Sequence, residues 1–298
     1  MYVNKEGAVV AMSSGNAAKA HCVSGDVITF QTLDCYGGNI KSESDLFHLV
    51  DYSEINPATG PVYVDGAKPG DVLKVEILKI VLAEKGCMAL VPGAGPLGDL
   101  IKEECTKIVK IEDGNAVFND LIKIPISPMI GVIGTAPADK AILNGTPGEH
   151  GSNMDCTKIQ EGTCLYLPVN VSGALLALGD VHAVMGDGET ATCAVEISGE
   201  VTVKVTVMKN MKIPMPLLKT AKEYITIASA ATLDEAGTMA CAKMAEFLES
   251  ATGLGKAEQV MLLSLAGNME ICQVVNPLKT ARMTIPVWVM EQYDFELS

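Results

Sequence analysis

Short segments of alternating apolar and polar residues, separated by turn residues, fill the chain before residue 230. In the segment 72–77, Leu73, Val75 and Ile77 alternate with more polar neighbours, and the longest run, 194–207, reads Ala-Val-Glu-Ile-Ser-Gly-Glu-Val-Thr-Val-Lys-Val-Thr-Val. Alternation with a period of two places successive side chains on opposite faces of a strand, as in antiparallel sheets with one face in the core. The pattern predicts a mainly β protein, with a β-sandwich or barrel (jelly-roll-like) as its architecture.

The character of the sequence changes near residue 230. Thr232 and Glu235 fit a capping box, apolar residues follow at helical spacing from 239 to 248, and Gly253 offers a stop. A second helix is predicted over 256–266. We therefore expect a β-sandwich body over 1–229 that carries the functional site, and a small α+β C-terminal section over 230–298 packed on it.

Composition excludes several kinds of partner. With 298 residues and 48% hydrophobic residues the chain can bury a core without disulfides, and its net charge of −14 argues against nucleic acids and anionic membranes. The chain has nine cysteines, and no two of them are spaced as a C-x-x-C pair. No signal segment and no apolar stretch of about 20 residues is present, so we expect a cytoplasmic protein.

The segment 179–189 has the composition of a functional site. It places His182 among Asp180, Asp187 and Glu189 on a backbone rich in glycine. If 181–185 is a strand, Asp180 and His182 point to the same face, and the following turn brings the other two carboxylates around its end. A Gly-Asp-Gly sequence is also an ordinary turn, so a purely structural interpretation stays open.

A second segment, 147–155, repeats this composition with His150, Asn153 and Asp155. Asp34 ends a predicted strand over 27–33, before a glycine pair, although a turn-forming aspartate is an equal alternative. Protein ligands of catalytic zinc are His, Asp, Glu or Cys, whereas calcium takes mostly carboxylates and carbonyls. The candidate metal ligands are Asp34, Asp155, Asp180 and His182, with zinc favoured over calcium because of the imidazole.

Hydrolysis is the economical reaction class for such a site. A metal-bound water has a lowered pKa and becomes a nucleophile, and a carboxylate such as Glu189 could accept its proton. We take Glu189, His150 and Asp187 as the catalytic candidates. The sequence contains no nucleophile elbow and no phosphate-binding glycine motif, and nothing around Cys156 indicates a reactive thiol.

Several motifs in order resemble the acetamidase/formamidase family. They run from about residue 20 to 290 and include the segments 60–72, 92–97, 131–137, 150–155, 168–175 and 179–189. The resemblance implies a β-sandwich hydrolase of small linear amides that releases ammonia and a carboxylic acid, with a metal-containing site and a homo-oligomeric state, for which we expect a dimer.

The resemblance also carries over particular residues. The family pattern Gly-Asn-x-Asp falls on 152–155, so Asn153 and Asp155 match, and His150 matches more loosely. The pattern Gly-Asp-x-His-x-x-Gln-Gly-Asp-Gly-Glu falls on 179–189, with Met185 where glutamine is usual. Asn153 and Met185 are therefore the expected substrate-binding residues, and Met185 would favour a less polar substrate group.

Two alternatives stay open. One is a non-catalytic β-sandwich module in which the carboxylates hold a structural calcium or bind a carbohydrate. The other is a hydrolase of the same fold with a drifted substrate, such as a cyclic amide or a carbamate, which the methionine at 185 motivates.

Overall fold

Twenty strands, three α-helices and three single-turn 3₁₀ helices build the chain, for which a computed structural model describes residues 1–297. The strands are β1 (Tyr2–Val3), β2 (Ala11–Met12), β3 (Ala20–Val23), β4 (Val27–Thr32), β5 (Ala58–Asp65), β6 (Val72–Leu82), β7 (Lys85–Leu90), β8 (Cys105–Glu112), β9 (Asn115–Val117), β10 (Lys123–Pro125), β11 (Met129–Gly134), β12 (Ile142–Leu143), β13 (Gly151–Asn153), β14 (Cys164–Pro168), β15 (Leu176–His182), β16 (Gly199–Met208), β17 (Leu217–Lys219), β18 (Glu223–Ala230), β19 (Asn268–Gln273) and β20 (Lys279–Pro286). The helices are α1 (Leu233–Thr252), α2 (Lys256–Ala266) and α3 (Val287–Glu291).

Two large sheets form the body. The nine-stranded sheet has the order β1-β4-β16-β6-β14-β17-β18-β20-β19, and the five-stranded sheet has the order β13-β11-β15-β5-β3. One hydrophobic core contains buried residues of both, among them Val75 and Val203 from the first sheet and Ile130 and Leu178 from the second. The prediction of a mainly β fold with a C-terminal helical section is confirmed.

The alternating run around residue 200 forms β16 at the centre of the nine-stranded sheet. Val201, Val203 and Val205 are buried, and the polar residues between them are only partly covered. The predicted strand began at 194, but the regular ladder with β4 and β6 begins at Gly199. Residues before it instead make isolated bridges, including one between Glu196 and His182.

The C-terminal helices cover one end of the nine-stranded sheet. The predicted capping box of α1 is present, with Thr232 and Glu235 exchanging hydrogen bonds of 3.3 Å, and Gly253 ends the helix at a φ of 70°. A second hydrophobic core lies beneath α1 and contains Tyr224 and Phe247. The sheet itself continues across residue 230, and the division of the chain at that point stays a prediction.

A four-stranded sheet with the order β10-β9-β8-β7 stands beside the body. It joins the region of the five-stranded sheet through a bridge between Cys87 and Glu196. None of the helices within residues 1–297 is both long and apolar enough to span a membrane.

Candidate functional site

The centre of the five-stranded sheet carries the first two candidate residues. Strand β15 pairs with β11 and β5, is buried along its whole length, and ends at His182. The strand predicted over 181–185 therefore lies several residues earlier than expected. Asp180 and His182 nevertheless meet as the two-residue spacing predicts, with His182 Nε2 3.3 Å from Asp180 Oδ1.

The neighbouring strand leaves room for two carboxylates at one position. A Cβ atom on Gly131 of β11 would lie 2.5 Å from Asp155 Oδ1 and 2.7 Å from Asp180 Oδ2, which is closer than real Cβ contacts allow. Only glycine fits there without displacing these oxygens. Asp155, which follows β13, and Asp180, on β15, thus share the space above Gly131.

Two asparagines hold Asp155 in place. Asn276 Nδ2 donates to Asp155 Oδ2 at 2.6 Å and to the main-chain oxygen of Asn153 at 3.1 Å. We orient the Asn153 carboxamide so that its nitrogen faces carboxylates, 3.2 Å from Asp155 and 2.9 Å from Asp180. Asn276 lies in the loop between β19 and β20, where its N–H donates to Gln273 Oε1 at 2.9 Å. The C-terminal part of the chain therefore supplies part of the site.

Two glutamates complete the cluster. Glu196 Oε2 lies 3.2 Å from His182 Nε2, and the other oxygen of Glu196 accepts a hydrogen bond of 2.8 Å from the main-chain N–H of Ala194. One potential ligand atom from each of Asp155, His182 and Glu189 lies within 4.8 Å of the other two. A second group with the same spacing consists of Cys35, Asp180 and Glu196.

Burial shapes the electrostatics of these groups. Burial, followed by the charge of Asp180, raises the pKa of Asp155 to about 6, and burial raises the pKa of Asp180 to about 6 as well. Burial and the charge of Asp155 raise the pKa of Glu189 well above its usual range. Burial opposes a charged His182, but Glu196 and Asp180 outweigh it and raise the pKa of the imidazole well above its ordinary value.

The backbone at the site is strained. Asp155, Asp180 and Glu189 have φ values of 44°, 54° and 49°, in the left-handed region that residues other than glycine rarely occupy. Each such residue costs on the order of 1 kcal/mol, and strain of this kind concentrates at functional sites. Three strained acidic residues around one volume favour a functional interpretation of the two segments over an ordinary turn.

The donor set fits a divalent cation. His182 Nδ1 and Glu189 Oε2 are buried and have no hydrogen-bond partner among residues 1–297. In the same part of the chain, the only salt bridges to the clustered carboxylates come from His182. A cation would balance the excess of negative charge, and an imidazole among carboxylates suits zinc or a similar transition metal better than calcium.

Asp34 lies close to this cluster, but its side chain stabilises a turn. Its Oδ1 accepts hydrogen bonds of 3.0 Å from the main-chain N–H groups of Tyr36 and Gly38, so it closes the turn that follows β4. Burial raises its pKa, these two bonds lower it, and Asp180 raises it again. Asp34 belongs to neither group of potential ligand atoms.

Three further candidates lie around the cluster. Asp187 makes a bidentate pair with Arg282, at 2.6 and 3.1 Å, and is 45% exposed. His150 is buried, its Nε2 has no partner among residues 1–297, and burial lowers its pKa to about 4. Met185 is half-buried and lines a cavity of about 430 Å³, which Glu189 also lines.

Sequence reasoning missed Glu196, Asn276 and Arg282. Glu196 falls within an alternating run, where it resembles any solvent-facing strand residue. Asn276 precedes Pro277, a pair that indicates only a turn. Arg282 lies on β20 with 1% of its side chain exposed, although its charge alone predicts a surface position.

Comparison with known proteins identifies one family. The family model for the acetamidase/formamidase family matches residues 16–146 and 140–292. An acetamidase from Bacillus halodurans has a crystal structure that is 46% identical, with a TM-score of 0.98 over 99% of this chain and 100% of that chain. A crystal structure described as a predicted acetamidase/formamidase, from Thermoanaerobacter tengcongensis, is also 46% identical, with a TM-score of 0.97 over 99% of this chain and 98% of that chain.

Similarity to curated sequences is lower and covers less of them. The formamidase of Methylophilus methylotrophus is 25% identical over 282 residues, which cover 72% of this chain and 69% of that protein. The chain spans 58% to 69% of the length of the three curated relatives that match it. The family model nevertheless covers nearly the whole chain. The chain belongs to the acetamidase/formamidase family.

Proposed function

We propose that this protein hydrolyses the C–N bond of small amides and releases ammonia and a carboxylate. The observation that carries the proposal is the buried set of Asp155, His182 and Glu189, whose donor atoms lie within 4.8 Å of one another beside a cavity. Relatives named formamidase and acetamidase support the same reaction class. The substrate lies in the cavity, with its amide group at the Glu189 end.

The residues that would hold a divalent cation are Asp155, Asp180 and His182. Zinc fits this set better than calcium because one donor is an imidazole. When bound, such a cation polarises a carbonyl oxygen and lowers the pKa of water. His182 Nε2 lies 3.3 Å from Asp180 and 3.2 Å from Glu196, which orients the imidazole, and Nδ1 has no hydrogen-bond partner among residues 1–297.

Glu189 acts as the proton carrier. Its buried Oε2 has no partner within residues 1–297, and the residue lines the cavity, so we assign this carboxylate to take a proton from the attacking water. The same oxygen then delivers the proton to the nitrogen as the C–N bond breaks, which allows ammonia to leave. Glu189 has a left-handed backbone, and one of its carboxylate oxygens lies within 4.8 Å of a potential ligand atom of Asp155.

The remaining candidate residues mainly position other groups and are not assigned a step of the reaction. The carboxamide nitrogen of Asn153 is occupied by Asp155 and Asp180, so we assign it to the support of these carboxylates. Asp187 is occupied by Arg282 and Thr157, and we assign it to the support of the loop that carries Glu189. His150, neutral near pH 7 because burial lowers its pKa to about 4, lies outside both groups of potential ligand atoms.

One observation disfavours a non-catalytic calcium module. Such a site would offer mainly carboxylate and carbonyl oxygens, whereas this one includes the imidazole of His182 and lies beside a cavity large enough for a ligand. A homo-oligomeric state stays a prediction. The edge strand β19, with exposed Met269 and Ile271, is a surface that could support it, and light scattering of the purified protein would measure the mass.

The test is ammonia release from formamide and acetamide by zinc-loaded protein, by protein treated with a chelator and by the variant Glu189→Gln. We expect the variant to lose about 10²- to 10⁴-fold in kcat while its bound zinc is unchanged, because it removes only the proton carrier. Glu103→Gln, at an exposed position, is the matched control and should keep wild-type activity.

The outcomes separate the roles of Glu189. Loss of bound zinc in Glu189→Gln would make this residue a ligand and would contradict its assignment as the proton carrier. If zinc-loaded wild-type protein releases no ammonia from any amide, the proposed function is wrong.

A further inference from the structure

The cavity beside Glu189 has two walls of different origin. Every strand of the four-stranded sheet contributes to one wall, through Met88, Val109, Ala116 and Ile124. The segment 184–195, which carries Glu189, forms the other wall. The cavity therefore lies between the candidate site and the four-stranded sheet.

The lining of this cavity is mainly apolar. On the side of the candidate site, Val184 and Met185 continue the apolar surface that the sheet presents. Phe118 stands at the exposed end, 40% accessible, with Lys107 Nζ 5.0 Å from its ring centre. Contact between such a surface and hydrocarbon is favourable, because it removes apolar area from water.

The acidic groups in the lining have separate tasks. Asp187 is held by Arg282 and by Thr157, so both of its oxygens already have hydrogen-bond partners. Glu189 also lines the cavity, and its buried Oε2 has no partner among residues 1–297. The lining thus includes the carboxylate assigned to the reaction, and the rest of the lining is suited to an apolar group.

The size of the cavity exceeds what formamide or acetamide needs. A volume of about 430 Å³ falls within the range of about 300 to 1,000 Å³ that is usual for small-molecule sites. Acetamide contains four heavy atoms and would leave most of the apolar lining in contact with water. A longer hydrocarbon chain would displace that water.

We propose that the cavity is an acyl pocket, and that the preferred substrates are primary amides whose acyl group is an apolar chain longer than acetyl, such as butanamide and pentanamide. This inference rests on the proposed amide hydrolysis. The acyl side is chosen because formamide and acetamide, the amides for which the relatives are named, differ in that group alone. Met185 adds an apolar residue to the lining, four positions before Glu189 in the sequence.

The first test is kcat/KM for formamide, acetamide, propanamide, butanamide and pentanamide with the zinc-loaded protein. Each methylene that enters an apolar pocket should raise kcat/KM about fourfold, since its transfer from water contributes about that factor. N-butylformamide, with the same hydrocarbon on the nitrogen, should remain a poor substrate. A series that stays flat or falls beyond acetamide overturns the acyl pocket and leaves amide hydrolysis standing.

The second test changes the pocket itself. Ala191→Leu places a larger side chain from the segment 184–195 into the cavity and should reduce the ratio of pentanamide to acetamide kcat/KM about tenfold. Phe118→Ser removes hydrocarbon at the exposed end and should reduce the same ratio. Leu121→Ser is the control, because Leu121 is 93% exposed on the same hairpin and does not line the cavity.

The outcomes distinguish the two proposals. Ratios that do not change in Ala191→Leu and Phe118→Ser overturn the acyl pocket even when acetamide is hydrolysed. Preference for N-butylformamide over pentanamide also overturns it, because the hydrocarbon would then lie on the nitrogen side. Absence of any amide hydrolysis by the zinc-loaded protein overturns the proposed function and this inference together.

Discussion

Arg282 connects the two segments that carry the candidate site, and its removal tests how the site is held. Its guanidinium donates to Asp187 at 2.6 and 3.1 Å, to Glu270 at 2.6 Å and to Thr157 at 3.2 Å, and only 1% of its side chain is exposed. Asp187 lies two residues before Glu189, and Thr157 lies two residues after Asp155. The arginine thus links the segment of Glu189, the proposed proton carrier, to the segment of Asp155, a proposed metal ligand.

The magnitude for Arg282→Met follows from these contacts. Hydrogen bonds to charged groups contribute roughly 1.5 to 3 kcal/mol each, but burial of a guanidinium opposes them, and breaking a buried pair costs about 3 to 5 kcal/mol. Asp187 and Glu270 are 45% and 29% exposed, so water can solvate both once the arginine is gone. We therefore expect a loss of about 2 to 3 kcal/mol in the free energy of unfolding.

Urea unfolding followed by circular dichroism measures this loss, and the melting temperature should fall by about 5 °C, at roughly 2 °C per kcal/mol for a chain of this size. Lys204→Met is the matched control, because Lys204 forms an exposed pair 3.7 Å from Glu76 whose loss should cost less than about 1 kcal/mol. At a temperature where both variants are folded, Arg282→Met should lose kcat and Lys204→Met should keep it. A stable Arg282→Met protein with wild-type kcat would refute the reasoning.

Two further predictions concern His150 and Gly131. Burial lowers the pKa of His150 to about 4 in the folded chain, whereas its pKa in the unfolded chain is near 6.5. As the pH falls, the unfolded chain therefore binds this proton first. The stability that is fully present above pH 6.5 is lost as the pH falls toward 4. Urea unfolding should show a loss of roughly 2 kcal/mol between pH 6.5 and 5 from this group, and a pH profile that is unchanged in His150→Gln would contradict this linkage. Gly131→Ala should displace Asp155 and Asp180 and abolish zinc binding measured by metal analysis, while Gly15→Ala, whose Cβ would meet only Ser13 Oγ at 3.5 Å, should bind zinc normally. Normal zinc binding by Gly131→Ala would show that the two carboxylates tolerate the methyl group.

Local patterns predicted the parts of the fold that depend on neighbours in sequence. The alternation in β16 and the capping box of α1 were both visible because each depends on residues a few positions apart. The spacing of Asp180 and His182 also placed their side chains together. Their strand was nevertheless placed too late, because a left-handed aspartate inside a strand has no signature in a hydrophobic pattern.

Partners that come from distant segments could not be predicted. Glu196 reaches His182 only because the chain after the loop returns along β15, and Asn276 reaches Asp155 only because β19 and β20 join the nine-stranded sheet. Neither contact can be recognised within a window of ten residues of sequence. The sequence alone predicted that Asp180 and His182 meet, whereas the contacts of Glu196 and Asn276 required the tertiary structure.

The contact between Asn276 and Asp155 spans 121 residues of sequence, and it has a consequence for how the protein is made. Synthesis delivers Asp155, Asp180 and His182 long before β19 and β20, and contacts of such long range form late in folding. Until then Asp155 lacks the side-chain donor from Asn276. We therefore expect a nascent chain to remain inactive until its last strands have docked, so that the onset of activity marks the completion of folding.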